Sequence, residues 1–161
     1  MIDQATLNEA DALLQACRER RLLIATAESC TGGLIAATLT AIAGSSDVVD
    51  RGFVTYSNAA KAELLGVPID LINSVGAVSE EVARAMAEGA FAHSRADIVV
   101  SVTGVAGPGG GSAQKPVGLV WFGCQRRGRP VTTIGHVFPG DRAEVRRASV
   151  AEALRLLREA I

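Results

Sequence analysis

The sequence predicts a three-layer α/β fold, with helices packed on both faces of one mixed sheet. Two observations carry that reading. Helical periodicities alternate with short apolar runs along most of the chain, which is the pattern of helices covering a sheet. The last two strand-like runs are joined by the polar turn Arg126–Arg129, a hairpin, so at least one strand pair is antiparallel.

The elements follow in order. Residues 3–20 place Ala10, Leu13, Leu14 and Cys17 at helical spacing with charges opposite. The run 21–27 (RLLIATA) is apolar and reads as a buried strand, and it leads through Glu28–Gly33 into the Ala- and Leu-rich helix 34–42. Gly44-Ser45-Ser46 breaks that helix. Residues 48–57 (VVDRGFVTYS) are rich in strand formers, and Asn58 is read as the N-cap of a helix over 59–65 that Gly66 ends. Pro68 opens a short turn. Ser79 with Glu80 and Glu81 starts a helix running to 94, and 97–102 (DIVVSV) is a strand. Strands over 116–125 and 130–138 form the hairpin, and Asp141 with Glu144 is a capping box for the last helix.

A chain of 161 residues is expected to form a single domain over 1–161. A net charge of −1 points to no nucleic-acid partner, and no apolar run approaches the ~20 residues of a membrane span. Cys17, Cys30 and Cys124 have neither disulfide nor metal spacing, and His93 and His136 are isolated. The expectation is therefore a cytoplasmic protein with reduced thiols, no metal and no cofactor. Of 16 basic residues only Lys61 and Lys115 are lysine, which gently favours a role needing an amine that can lose its proton.

Four segments can carry chemistry. Ser29 lies in a strand-to-helix turn, where free amides can stabilise an oxyanion, with Gly32 and Gly33 permitting close approach. Cys30 competes as nucleophile, since a thiol at a helix start has a lowered pKa. Tyr56 and Lys61 flank the start of the next helix, whose dipole favours a neutral amine. The loop 104–112 follows a strand but leads into another strand, which excludes Rossmann and Walker readings. Arg142, Arg146 and Arg147 at the start of the last helix suit a phosphate. Taken singly, each segment also has a plain structural explanation: an N-cap, a solvated lysine, a long connection, a charged helix face.

Together they are more specific. The runs Ala27-Glu28-Ser29-Cys30-Thr31-Gly32-Gly33, Gly52-Phe53-Val54-Thr55-Tyr56-Ser57-Asn58-x-x-Lys61, Gly76-Ala77-Val78-Ser79, Thr103-Gly104-Val105-Ala106-Gly107-Pro108-x-Gly110-Gly111-Ser112, Lys115-Pro116-Val117-Gly118 and Phe138-Pro139-Gly140-Asp141-Arg142 occur in this order across nearly the whole chain. The set resembles the CinA C-terminal domain family, whose enzymatic members are nicotinamide-nucleotide amidohydrolases of the PncC type. The resemblance implies a three-layer α/β/α sandwich with a five-stranded mixed sheet. It implies hydrolysis of nicotinamide mononucleotide to nicotinate mononucleotide and ammonia, within pyridine-nucleotide recycling. Ser29, Tyr56 and Lys61 match the family's serine, tyrosine and lysine. Gln114 stands where the family commonly has glutamate, and Gly109 where some members have aspartate. Many relatives carry a further N-terminal domain, which this sequence is expected to lack.

The mechanism expected from this resemblance uses Ser29 as nucleophile and neutral Lys61 as base, with Tyr56 passing a proton to the departing ammonia. Cys30, Thr31, Gly32 and Gly33 would surround the reacting carbonyl. Thr103, Gly104, Gly107 and Arg142 would hold the rest of a small-molecule nucleotide. A homo-oligomer is left open. Two other functions remain: a nucleotide-binding regulatory or competence-associated module without turnover, and an amidase that uses Cys30.

Overall fold

The computed structural model describes residues 1–161. Its elements are α1 (Gln4–Glu19), β1 (Ile24–Glu28), α2 (Leu34–Thr40), β2 (Val49–Val54), α3 (Asn58–Leu65), α4 (Ile69–Val75), α5 (Glu80–Ala92), β3 (Ile98–Gly104), β4 (Leu119–Arg126), β5 (Thr132–Val137) and α6 (Arg142–Glu159). The sheet has the order β2-β1-β3-β4-β5. β1 is parallel to both β2 and β3, while β3-β4 and β4-β5 are antiparallel. The expected mixed five-stranded sheet is therefore present, with the hairpin at one end.

Alternation along the strands builds the two outer layers. Ile24, Ile98, Val100, Val102, Val120 and Phe122 point to one face and pack with Leu13 and Leu14 of α1, Ile35 and Leu39 of α2, and Val150, Leu154 and Leu157 of α6. Ala25, Ala27 and Val99 point to the other and meet Leu65, Ile72, Val82 and Met86 of α3, α4 and α5. Each fully buried Val, Leu, Ile, Phe or Met side chain among them contributes roughly 1.5–3 kcal/mol. No helix is long and apolar enough to cross a membrane.

Several boundaries differ from the sequence reading, for local reasons. β1 begins at Ile24 rather than residue 21, because Arg21 takes φ 55° and the Leu22 amide still bonds back to Cys17 O at 2.9 Å. The N-cap of α3 is Ser57, whose hydroxyl accepts from the Ala60 amide at 3.0 Å, and Asn58 is already helical. The segment after Pro68 is not merely a turn but the helix α4. The Asp141–Glu144 capping box forms in both directions, at 2.9 and 2.7 Å.

Topology positions the site. From β1 the chain passes through α2 on one face to β2, then through α3, α4 and α5 on the other face to β3. The direction of winding reverses at β1, and in open α/β sheets ligands bind outside the carboxyl ends of strands at such a switch point. Ser29 follows β1, Tyr56 and Lys61 follow β2, and Thr103 and Gly104 end β3.

Candidate active site

Ser29 leaves β1 with its amide bonded to Val102 O at 3.0 Å, so its main chain is anchored to β3. Across the turn stands Lys61, in the first turn of α3 and only 1% exposed. Its Nζ is 2.9 Å from Ser29 Oγ and 2.9 Å from the Thr55 carbonyl oxygen. No carboxylate contacts it. Burial holds its pKa below the ordinary 10.5, opposed only by the Cys30 thiol. The shift was anticipated from the helix start; its largest cause is desolvation. A neutral amine accepts the Ser29 proton, which is the pairing a serine nucleophile needs.

Ser29, Cys30, Tyr56, Asn58, Lys61, Ala77, Val78, Thr103, Gly104, Ala106 and Arg142 line one cleft of about 240 Å³. That is below the ~300–1,000 Å³ of pockets that enclose a whole drug-sized ligand, and it suits one end of a nucleotide. Its far wall is tied in place. The Thr103 hydroxyl donates to Ala77 O at 2.8 Å, and Lys115 Nζ donates to Val75 O at 2.5 Å. Gly104 lacks a side chain because a Cβ there would strike Val120 and Leu119 O, a packing reason rather than a ligand one. A second cleft adjoins this one through Ala106 and Arg142, and it reaches Asp141 and Arg146 at the start of α6.

Tyr56 is at the rim, 59% exposed. Its hydroxyl accepts from Arg142 at 2.9 Å, and Arg142 also donates to Gly107 O at 2.9 Å. The hydroxyl makes no bond to Ser29 or Lys61; its partner is Arg142.

Four expected ligand contacts are not in the cleft. Thr31 is fully buried and its hydroxyl bonds Glu28. Gly32 faces Arg146, whose guanidinium donates to Thr31 O at 3.0 Å. The Gly33 amide is taken by Glu28 at 3.1 Å. Gly107 is buried and offers its carbonyl to Arg142. Gln114 and Gly109 are both exposed on the loop before β4.

The Cys30 expectation is also corrected. Burial pushes its thiol up to about 11, and the amides of α2 that would have lowered it are already bonded to a carboxylate. Cys30 is a neutral thiol at physiological pH. All three cysteines are free and buried.

Glu28 is the residue that sequence reading passed over. It is fully buried, and its two oxygens accept from the Thr31 hydroxyl and from the amides of Gly33, Ile35 and Ala36. A charged residue at the end of an apolar strand, before a glycine pair with no side chain to accept from the first-turn amides, was the available signal. Of the turn's amides, Ser29 and Gly33 are occupied, and Gly32 donates to Ser29 O at 3.0 Å. That of Cys30, which lines the cleft, donates to no other residue and is the candidate oxyanion donor.

Residues 7–161 match the CinA C-terminal domain. The chain belongs to this family. A nicotinamide-nucleotide amidohydrolase PncC of Escherichia coli (strain K12) is 48% identical over 158 residues, covering 98% of this chain and 95% of that protein. A CinA-like protein of Mycobacterium sp. (strain JLS) is 57% identical over 140 residues. There the match takes in 86% of this chain but 33% of the relative, so the chain spans about a third of such longer family members. Among solved structures, the competence/damage inducible protein CihA from Agrobacterium tumefaciens superposes with a TM-score of 0.97 at 46% identity, covering 99% of this chain and 98% of that one.

Proposed function

We propose that the chain is a serine amidohydrolase that converts nicotinamide mononucleotide to nicotinate mononucleotide and ammonia. The observation that carries this reading is the buried, uncompensated Lys61 amine 2.9 Å from the Ser29 hydroxyl at the base of a cleft. The similarity to a nicotinamide-nucleotide amidohydrolase over nearly the full length of both chains supports the choice of substrate.

Ser29 Oγ attacks the carboxamide carbon as its proton passes to Lys61 Nζ, and the carbonyl oxygen becomes an oxyanion. The Cys30 amide at the cleft is the donor for that charge; one such donor is worth roughly 10²–10³ in rate. The C–N bond breaks as Lys61 returns the proton to the leaving nitrogen, giving ammonia and an ester on Ser29. Water then attacks the ester, giving a proton to Lys61, which passes it to Ser29 Oγ as the ester C–O bond breaks; the acid that leaves ionises to the carboxylate. Tyr56 orients Arg142 at the rim, and Arg142 takes the phosphate from the adjoining cleft that leads to Arg146. The free, buried thiols fit a reducing cytoplasm as the place of action.

The deciding experiment is release of ammonia from nicotinamide mononucleotide by the pure protein, with Ser29→Ala as control. Stoichiometric binding without ammonia would replace the enzyme by a nucleotide-binding module.

A further inference from the structure

Glu28 is a fully buried carboxylate with no ion-pair partner, and its main chain and side chain grip opposite ends of one short turn. At the strand end, Glu28 O accepts from the Thr55 amide at 2.8 Å, and the residue pairs with Val54 on one side and Val102 on the other. At the helix start, Oε2 accepts from Thr31 Oγ1 at 2.6 Å, Gly33 N at 3.1 Å and Ile35 N at 3.0 Å. Oε1 accepts from Ala36 N at 2.8 Å. The turn they hold is Ser29, Cys30, Thr31 and Gly32, with Thr31 itself gripped through its hydroxyl.

We propose that Glu28 is a positioning residue for the amide hydrolysis: it fixes the turn that aims the Ser29 hydroxyl and the Cys30 amide at the substrate. The inference rests on the amidohydrolase reading above. Gly33, the N-cap of α2, has no side chain to satisfy the first-turn amides, and Glu28 performs that capping from across the turn. By taking the amides of Gly33, Ile35 and Ala36 it removes them as rival anion sites, so a developing oxyanion finds donors only beside Ser29. Every partner of the carboxylate is a donor, which an ionised carboxyl with about four acceptor sites matches. A glutamine of the same shape would turn an NH2 group toward an N–H or O–H and lose part of the set.

The test compares wild type, Glu28→Gln, Thr31→Val and Thr31→Ser, by ammonia release from nicotinamide mononucleotide and by the rate at which a fluorophosphonate labels Ser29. Glu28→Gln is expected to lose on the order of 10²-fold in kcat, as when an oxyanion donor is misplaced. KM and the midpoint of the pH–rate curve should stay in place, and labelling should slow in parallel. Thr31→Val should show a smaller loss of the same kind, which Thr31→Ser restores. Wild-type kcat and labelling in folded Glu28→Gln would overturn the proposal. So would a loss that only tracks the unfolded fraction by circular dichroism, with full activity per folded molecule. If wild type releases no ammonia, the amidohydrolase reading fails, while the labelling rates still decide the role of Glu28.

Discussion

Thr55 holds Lys61 through its main chain: the Thr55 carbonyl oxygen is 2.9 Å from Lys61 Nζ. A carbonyl has no proton to give, so one hydrogen of the amine is committed there in either charge state. In the neutral amine this leaves the lone pair available to Ser29 Oγ, also at 2.9 Å. The Thr55 side chain is not part of the arrangement, and its buried hydroxyl has no hydrogen-bond partner. Thr55→Val should therefore keep near wild-type kcat and KM. It should also be at least as stable, since an unsatisfied buried hydroxyl costs about 1–3 kcal/mol. A large fall in kcat in the folded variant would show that the hydroxyl matters.

The base assignment separates charge from proton transfer. A guanidinium, with pKa above ~12, keeps a positive charge but cannot accept the Ser29 proton. Lys61→Arg is thus expected to be about as inactive as Lys61→Ala. Because burial lowers the Lys61 pKa, the wild-type rate should rise with pH through a midpoint below 10.5. Steady-state kinetics from pH 6 to 10 checks both; an active arginine variant with an unchanged profile would remove Lys61 as base.

Ser29 and Cys30 line the same cleft, yet their environments divide them. Ser29 has the amine; Cys30 has a thiol pushed up to about 11 by burial. Ser29→Ala should lose nearly all ammonia release, and Cys30→Ala should keep most of it. The reverse ranking would make Cys30 the nucleophile.

The sheet and the Ser29–Lys61 contact were legible, the sheet from local signals and the pairing from the resemblance. Apolar runs bounded by glycine and polar turns mark β1 to β5, and a lone lysine after a strand is conspicuous in an arginine-rich chain. What escaped depends on partners far along the chain. Asn58 looks like a helix cap by type, but Ser57 takes that place, leaving Asn58 at the cleft. Gly32 and Gly33 looked like ligand contacts, and only the path of the Glu28 side chain shows that the Gly33 amide is already spent. The bond from Arg142 to Tyr56 joins residues 86 apart, beyond any local pattern.

That Arg142–Tyr56 bond makes a prediction about substrate ends. If Arg142 takes the phosphate, Arg142→Ala should raise KM for nicotinamide mononucleotide by roughly 10–100-fold, from charge-assisted bonds worth about 1.5–3 kcal/mol. The phosphate-free riboside should be affected far less. Tyr56→Phe removes the hydroxyl that accepts from Arg142, so it should give a weaker loss with the same preference. Equal losses on both substrates would move Arg142 away from the phosphate, and a kcat defect alone in Tyr56→Phe would return the tyrosine to proton transfer.

Lys61 should also be visible in stability. Its folded pKa lies below the 10.5 of an unfolded chain, because burial penalises the charged amine. Between those two values the unfolded state binds more protons than the folded one, so stability rises with pH. The contribution is complete above 10.5 and is lost as pH falls through the lowered folded value. Cys17 and Cys124 act in the opposite sense. Burial raises them to about 11 and about 12 from 9.0, so their contribution is present below 9.0 and lost as pH rises further. Those thiols remain in Lys61→Met and cancel when the two proteins are compared; Cys30, also raised to about 11 and coupled to Lys61, is replaced by alanine in both proteins so that it drops out. Urea unfolding across the alkaline range should then show the protein with Lys61 gaining stability relative to Lys61→Met as pH approaches 10.5, and no further gain above it. A difference that stays constant with pH would mean that Lys61 has the same pKa folded and unfolded, and the neutral amine that the mechanism needs at Ser29 would lose its physical basis.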